Sequence, residues 1–142
     1  MSKNIEMFID GASRGNPGPA GVGIYITDDT GGVILKKGKF LGQTTSNVAE
    51  YQALINGLKL LSGIKEPIGQ ITVKSDSDLI VNQMNGEYRI KSKLLMPLAI
   101  EARGLLKNFP GIKLMAIERK LNKIADKLAN KAMNLQSDTD TE

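Results

Sequence analysis

The spacing of apolar and polar positions changes along this chain, and each change marks an element. Ile5 to Asp10 is a short run of strand-forming residues that ends on a carboxylate. Gly21 to Asp29, GVGIYITDD, alternates and then turns through Thr30-Gly31-Gly32; Val33 to Leu41 follows, so three antiparallel strands in a meander are predicted. From Asn47 the period lengthens. Val48, Tyr51, Leu54, Ile55, Leu58 and Leu61 share one helical face that ends at Ser62-Gly63. Ile71 to Lys74 predicts a strand, Leu79 to Met84 a short helix closed by Gly86, and Leu94 to Lys107 a helix with Pro97 in its first turn. Ile112 to Ile117 is the last predicted strand. Asn122 to Leu135 is the last helix, with Ile124, Leu128, Ala129 and Ala132 turned inward. This order implies an α/β fold: a five-stranded mixed sheet, three strands antiparallel and two parallel, with helices on both faces.

With 142 residues the chain is long enough for one core but not two. Residues 1–136 are expected to form that domain, and 137–142, SDTDTE, a disordered acidic tail. The formal charge is +4, yet the tail carries three acids and no base, so the body is more basic still and suits a polyanionic partner. The start MSKNIEMFID is too polar for a signal peptide, and no apolar run reaches membrane-spanning length; a cytoplasmic monomer is expected, with no membrane partner. There is no cysteine and no histidine. That excludes thiolate chemistry, Ser-His-Asp catalysis and the usual zinc sites, and leaves carboxylates, amides, hydroxyls, lysine and arginine to act.

Four carboxylates fall at element junctions: Asp10 at a strand end, Glu50 early in the long helix, Asp76 after the strand from Ile71, and Asp126 early in the last helix. Each has a structural use. Asn47 to Glu50 fits a capping box, Asp76 or Ser77 could cap the next helix, and Asp126 favours a helix N-terminus. In a sheet with a parallel part, however, strand C-termini and helix N-termini meet on one rim, where ligands bind. Carboxylates gathered there repel one another unless a cation holds them. Hard divalent cations take oxygen ligands, and two of them about 3.5–4 Å apart can clamp the attacking and leaving oxygens of a phosphodiester.

The stretches FIDGASRGNPGPAGVGIYI, TTSNVAEYQALINGL, VKSDSDLIVNQMNGEY and NKIADKLAN, in this order and spacing, resemble type 1 ribonuclease H. The likeness is to the compact bacterial and archaeal members related to reverse-transcriptase ribonuclease H domains, and it runs from about Ile5 to Asn134. It implies the ribonuclease H-like fold and an endoribonuclease that hydrolyses the RNA strand of RNA–DNA hybrids with two Mg²⁺ or Mn²⁺ ions. By that pattern Asp10 bridges both ions, Asp126 shares the one that activates water, and Glu50 and Asp76 share the one facing the leaving 3′ oxygen. Asp78, beside Asp76, reads as a first-turn helix acid.

Gly11, Gly15 and Gly18 would let backbone pass close to a sugar-phosphate chain. Asn16 would offer its amide to a ribose 2′-hydroxyl, which separates RNA from DNA. Ser46 and Asn47 match positions that line the RNA minor groove in the family, and Thr45 matches a DNA-phosphate contact; an amide is common where this chain has Ser46. Many relatives carry a histidine in the loop that reads IERKLNK here, and Arg119 is the candidate to fill that space, able to hold a phosphate but not to shuttle a proton. There is no tryptophan, and Arg89, Lys91 and Lys93 are all that stand where some members have a basic handle. Lys36, Lys37 and Lys39 read as edge-strand protection. Two other readings stay open: a non-catalytic hybrid- or RNA-binding module, against which four intact acids argue, and a nuclease that also cuts double-stranded RNA.

Overall fold

Alternation along the first strand sets the layers of the molecule. In the computed structural model, which describes residues 3–141, this strand, β1, spans Lys3–Ser13. Its odd-numbered Ile5, Met7 and Ile9 are buried in the main core, while Phe8 and Asp10 face the other way. Strands β2 (Gly18–Asp28) and β3 (Val33–Thr44) continue the meander, and helix α1 (Ser46–Ser62) crosses back over the odd-numbered face. Then come β4 (Ile68–Ser75), α2 (Asp78–Met84), α3 (Met96–Leu106), β5 (Lys113–Ala116), a 3₁₀ turn at Arg119–Leu121, α4 (Lys123–Leu135) and β6 (Thr139–Thr141). The sheet order is β5-β4-β1-β2-β3-β6, with β1–β4 and β4–β5 parallel and the other pairs antiparallel. The five expected strands and their mixed pairing are present, and β6 is an addition. No helix among the described residues is long and apolar enough to cross a membrane.

Tyr51, Leu54, Ile55 and Leu58 of α1 pack on Met7, Ile9, Val22, Ile24 and Ile26, and Ala99 and Ala102 of α3 join the same cluster. This is the face that the 3.6-residue spacing of α1 predicts. On the opposite face α4 lies across β2 and β3 over a glycine floor. A Cβ on Gly23 would stand 1.9 Å from the Ala125 carbonyl oxygen, and one on Gly21 2.8 Å from that of Ala129. The helix therefore rests on strand backbone, and only small residues fit between: Ala125, Ala129 and Ala132 are fully buried. Here the sequence reading of Ile124 is corrected. The helical spacing turns it inward, but it is 39% exposed, because the glycine floor has room for the alanine beside it and not for isoleucine.

The acidic tail also differs from expectation. Residues 139–141 pair with Lys36–Gly38 of β3, and Asp138 Oδ1 accepts a hydrogen bond from Phe40 N at 2.9 Å. An open sheet edge presents unpaired N–H groups, and this segment satisfies several of them.

Candidate active site

β1 and β4 run parallel in a register that pairs Ile9 with Ser75, so the next residues are neighbours: Asp10, still within β1, and Asp76, in the turn that leaves β4. The turn after β4 is held by Ser75 Oγ, which accepts from Ser77 N at 3.0 Å. Ser77, not Asp76, caps α2, accepting from Ile80 N. Asp76 is thereby left free, and Asp78 sits in the first turn of α2 as read.

Glu50 arrives from the other side. The N-cap of α1 is Thr45, whose Oγ1 accepts from Val48 N at 3.3 Å, so the expected Asn47–Glu50 capping box does not form. Glu50 instead turns to β1, and its Oε1 accepts from Gly11 N at 2.6 Å. Gly11 is what permits this. A Cβ there would lie 2.2 Å from the Ala49 carbonyl oxygen. The glycine expected to admit a sugar-phosphate chain is buried under α1 and serves to seat that helix.

The fourth acid depends on α4. Asp10 pairs in register with Gly23, the residue on which the first turn of α4 rests, and Asp126 follows Ala125 in that turn. Asn122 ties the same end down. It is 1% exposed, and its Nδ2 donates to Ile9 O at 2.8 Å, next to Asp10. Asn130, one turn beyond, donates to the Asp126 carbonyl at 2.9 Å and to its Oδ1 at 3.3 Å. Sequence reading overlooked both asparagines. Asn130 could have been found from its i,i+4 spacing to Asp126; Asn122 could not, since its partner lies on another element.

Ligand oxygens of Asp10, Glu50 and Asp76 all lie within 4.8 Å of one another. Burial and the repulsion of Glu50, Asp76 and Asp126, with a hydrogen bond that the protonated Asp10 donates to Asp126, push the Asp10 carboxyl up to about 9. Burial also lifts Glu50 to about 7, aided by Asp76 and opposed by the Gly11 N–H and Ser77. Such a group holds its charges at neutral pH only if a cation shares them. The donors are all carboxylate oxygens, the set a hard divalent ion takes, so the residues present fit one. At the mouth stands Arg119, 89% exposed, its Nε 3.9 Å from Asp76 Oδ2.

Of the remaining predicted residues, Asn16 and Ser46 meet: Asn16 Oδ1 accepts from Ser46 N at 3.1 Å, joining the β1–β2 loop to the start of α1. Thr45 is spent on its cap, and Asn47 is exposed beside it.

A mixed sheet whose parallel pair opens onto clustered carboxylates, with helices on both faces, defines the ribonuclease H-like fold class. The family described as reverse transcriptase-like matches residues 8–132. "Ribonuclease HI" of Halobacterium salinarum is 35% identical over 92% of this chain and 64% of its own length. The crystal structure of RNase H1 from that archaeon superposes with a TM-score of 0.87, covering 92% of this chain and 98% of that one, also at 35% identity. LC11-RNase H1, solved in complex with an RNA/DNA hybrid, gives a TM-score of 0.88 at 38% identity, over 93% of this chain and 98% of that one. "Bifunctional protein Rv2228c" of Mycobacterium tuberculosis is 40% identical over 92% of this chain. The chain spans about a third of that relative, 35%, and 64% of the Halobacterium protein. The chain belongs to the type 1 ribonuclease H family.

Proposed function

We propose that this protein is an endoribonuclease that hydrolyses the RNA strand of RNA–DNA hybrids. The observation that carries the reading is the approach of Asp10, Glu50 and Asp76 oxygens to within 4.8 Å, with Asp126 brought against Asp10. Clustering acids from four elements in a half-buried site costs stability when they ionise, and a module that only bound nucleic acid would have no use for it. Asp10, Glu50, Asp76 and Asp126 would hold two Mg²⁺ or Mn²⁺ ions. When bound, such ions supply positive charge for both the attacking and the leaving oxygen of the scissile phosphodiester.

The chain's own residues do the rest. Gly11 N–H and Ser77 orient Glu50, and Asn130 holds one Asp126 oxygen, so the acids keep fixed directions. Because Asn16 Oδ1 is engaged by Ser46 N, its amide NH₂ is left to donate to a ribose 2′-hydroxyl. Thr45, Ser46 and Asn47 sit along the same line, at the start of α1. Arg119, permanently charged and exposed, holds a phosphate at the mouth. Support for the substrate comes from LC11-RNase H1, a 38%-identical structure solved with an RNA/DNA hybrid.

The test is incubation with end-labelled hybrid, duplex RNA and duplex DNA, each with Mg²⁺, Mn²⁺ or a chelator. Hybrid should be cut with metal and left intact with chelator, and duplex DNA should survive. Duplex RNA cut as fast as hybrid would widen the substrate class. Intact hybrid with both metals would overturn the proposal.

A further inference from the structure

Next to the carboxylates, on the even-numbered face of β1, is a groove that the proposed reaction does not use. α4 covers this face over β2 and β3, where the glycines lie. The strand registers align Met115, Lys74, Phe8, Tyr25 and Lys36 in one row across the sheet. Phe8 and Tyr25 form a tilted ring pair with centroids 5.7 Å apart. The 3₁₀ turn and the first turn of α4 make the opposite wall, where Leu121 is 60% and Ile124 39% exposed. Between the walls is a cavity of about 510 Å³ with Lys120, Lys123 and Lys127 around it. Exposed apolar side chains gathered in a concavity, rather than scattered singly, mark a contact surface.

Charge and ring geometry say what would cover it. Lysines surround the apolar floor, and beyond the carboxylate cluster at its end the nearby acids Glu6 and Glu118 are already paired with Lys74 and Lys120. Lys74 stands 5.3 Å from the Phe8 centroid and Lys36 5.8 Å from that of Tyr25. Cations therefore occupy the ring faces on which a nucleobase would stack. An apolar side chain fits the floor, and carboxylates complement the rim. We infer that this groove docks an acidic segment of a partner protein, with a bulky apolar side chain seated among Phe8, Tyr25, Leu121 and Ile124.

Methyl and amide NMR titration of the intact chain tests this. The probes are a short peptide of aspartates and glutamates interspersed with leucine and phenylalanine, its lysine-substituted twin, and a short single-stranded oligonucleotide. The acidic peptide should shift the Leu121 and Ile124 methyls saturably, more weakly at raised salt, and the lysine twin should not. Ile124→Asp and Lys127→Glu should each weaken that binding by about tenfold, while melting temperature and hybrid cleavage stay at wild-type values. No saturable shift, equal binding of the lysine twin, or affinity indifferent to both substitutions would overturn the assignment. Oligonucleotide shifts at the same methyls, without peptide shifts, would give the groove to a single strand instead. Hybrid cleavage is read separately, so failure of either reading leaves the other standing.

Discussion

The carboxyl of Asp10 is the point at which fold and chemistry conflict. Its pKa is raised to about 9 and that of Glu50 to about 7, against an unfolded value near 4. Between those limits the folded, metal-free chain binds more protons than the unfolded one, so its stability falls as pH rises through this window. Melting temperature in chelator should decline from about pH 5 to 9, and saturating Mg²⁺ should restore it most at the alkaline end. Asp10→Asn removes one charge from the cluster, so it should flatten that slope and melt at or above wild type at pH 8. Its cleavage rate should fall about a thousandfold or more. A wild-type rate would show that Asp10 carries no chemistry. Arg119 offers a planar, charged fork at the mouth of the site, so Arg119→Ala should slow turnover and Arg119→Lys recover part of it. Unchanged turnover in the alanine variant would remove it from the site. The four acids were legible because their chemistry is written in residue type and position. Asn122 was not: its meaning lies in a carbonyl 113 residues away, at Ile9.

At the level of elements, two glycines on neighbouring strands seat two helices on opposite faces of the sheet. Gly23 carries α4 and Gly11 carries α1, each where a Cβ would strike helix backbone. Neither helix can give way by rotating a side chain. Gly23→Ala should destabilise by about 1–3 kcal/mol or more, read by denaturant titration. It should also lower kcat up to about a hundredfold, as a carboxylate displaced by an ångström would. Full stability and activity would mean that α4 does not rest on this strand. Asn122→Ala, which leaves the buried Ile9 carbonyl without its donor, should cost about 1–3 kcal/mol on the same titration. Apart from β6, element types and order followed from period and turn residues, since strands alternate and α1 repeats every 3.6 residues. Ile124 misled because the glycine floor that chooses Ala125 is contributed by β2, about a hundred residues earlier. The Asn47–Glu50 spacing misled for a related reason. A capping box is a local pattern, whereas Glu50 answers to an N–H on β1.

Across the whole molecule, a net charge of +4 with no tryptophan-bearing handle limits the grip on a polyanion. Hybrid affinity should fall as salt rises, with a log–log slope of about one per phosphate engaged; a flat plot would require a non-ionic interface. Deleting residues 137–142 removes three acids and should leave cleavage at or slightly above wild type. It would also uncover the β3 edge at Lys36–Gly38, so light scattering on standing should rise. Lost activity would show that this segment supports more than an edge. The placing of the acids on β1, α1, after β4 and on α4 has a consequence for biosynthesis. They fall at positions 10, 50, 76 and 126, and the last arrives only when α4 settles on Gly21 and Gly23. Chains emerge from the ribosome N-terminus first and at a finite pace. Until residue 126 has been made the growing polypeptide lacks its fourth carboxylate, and any product truncated before it never gains it. If the proposed cleavage is right, a chain assembled this way gains its cutting power only when α4 settles on the sheet.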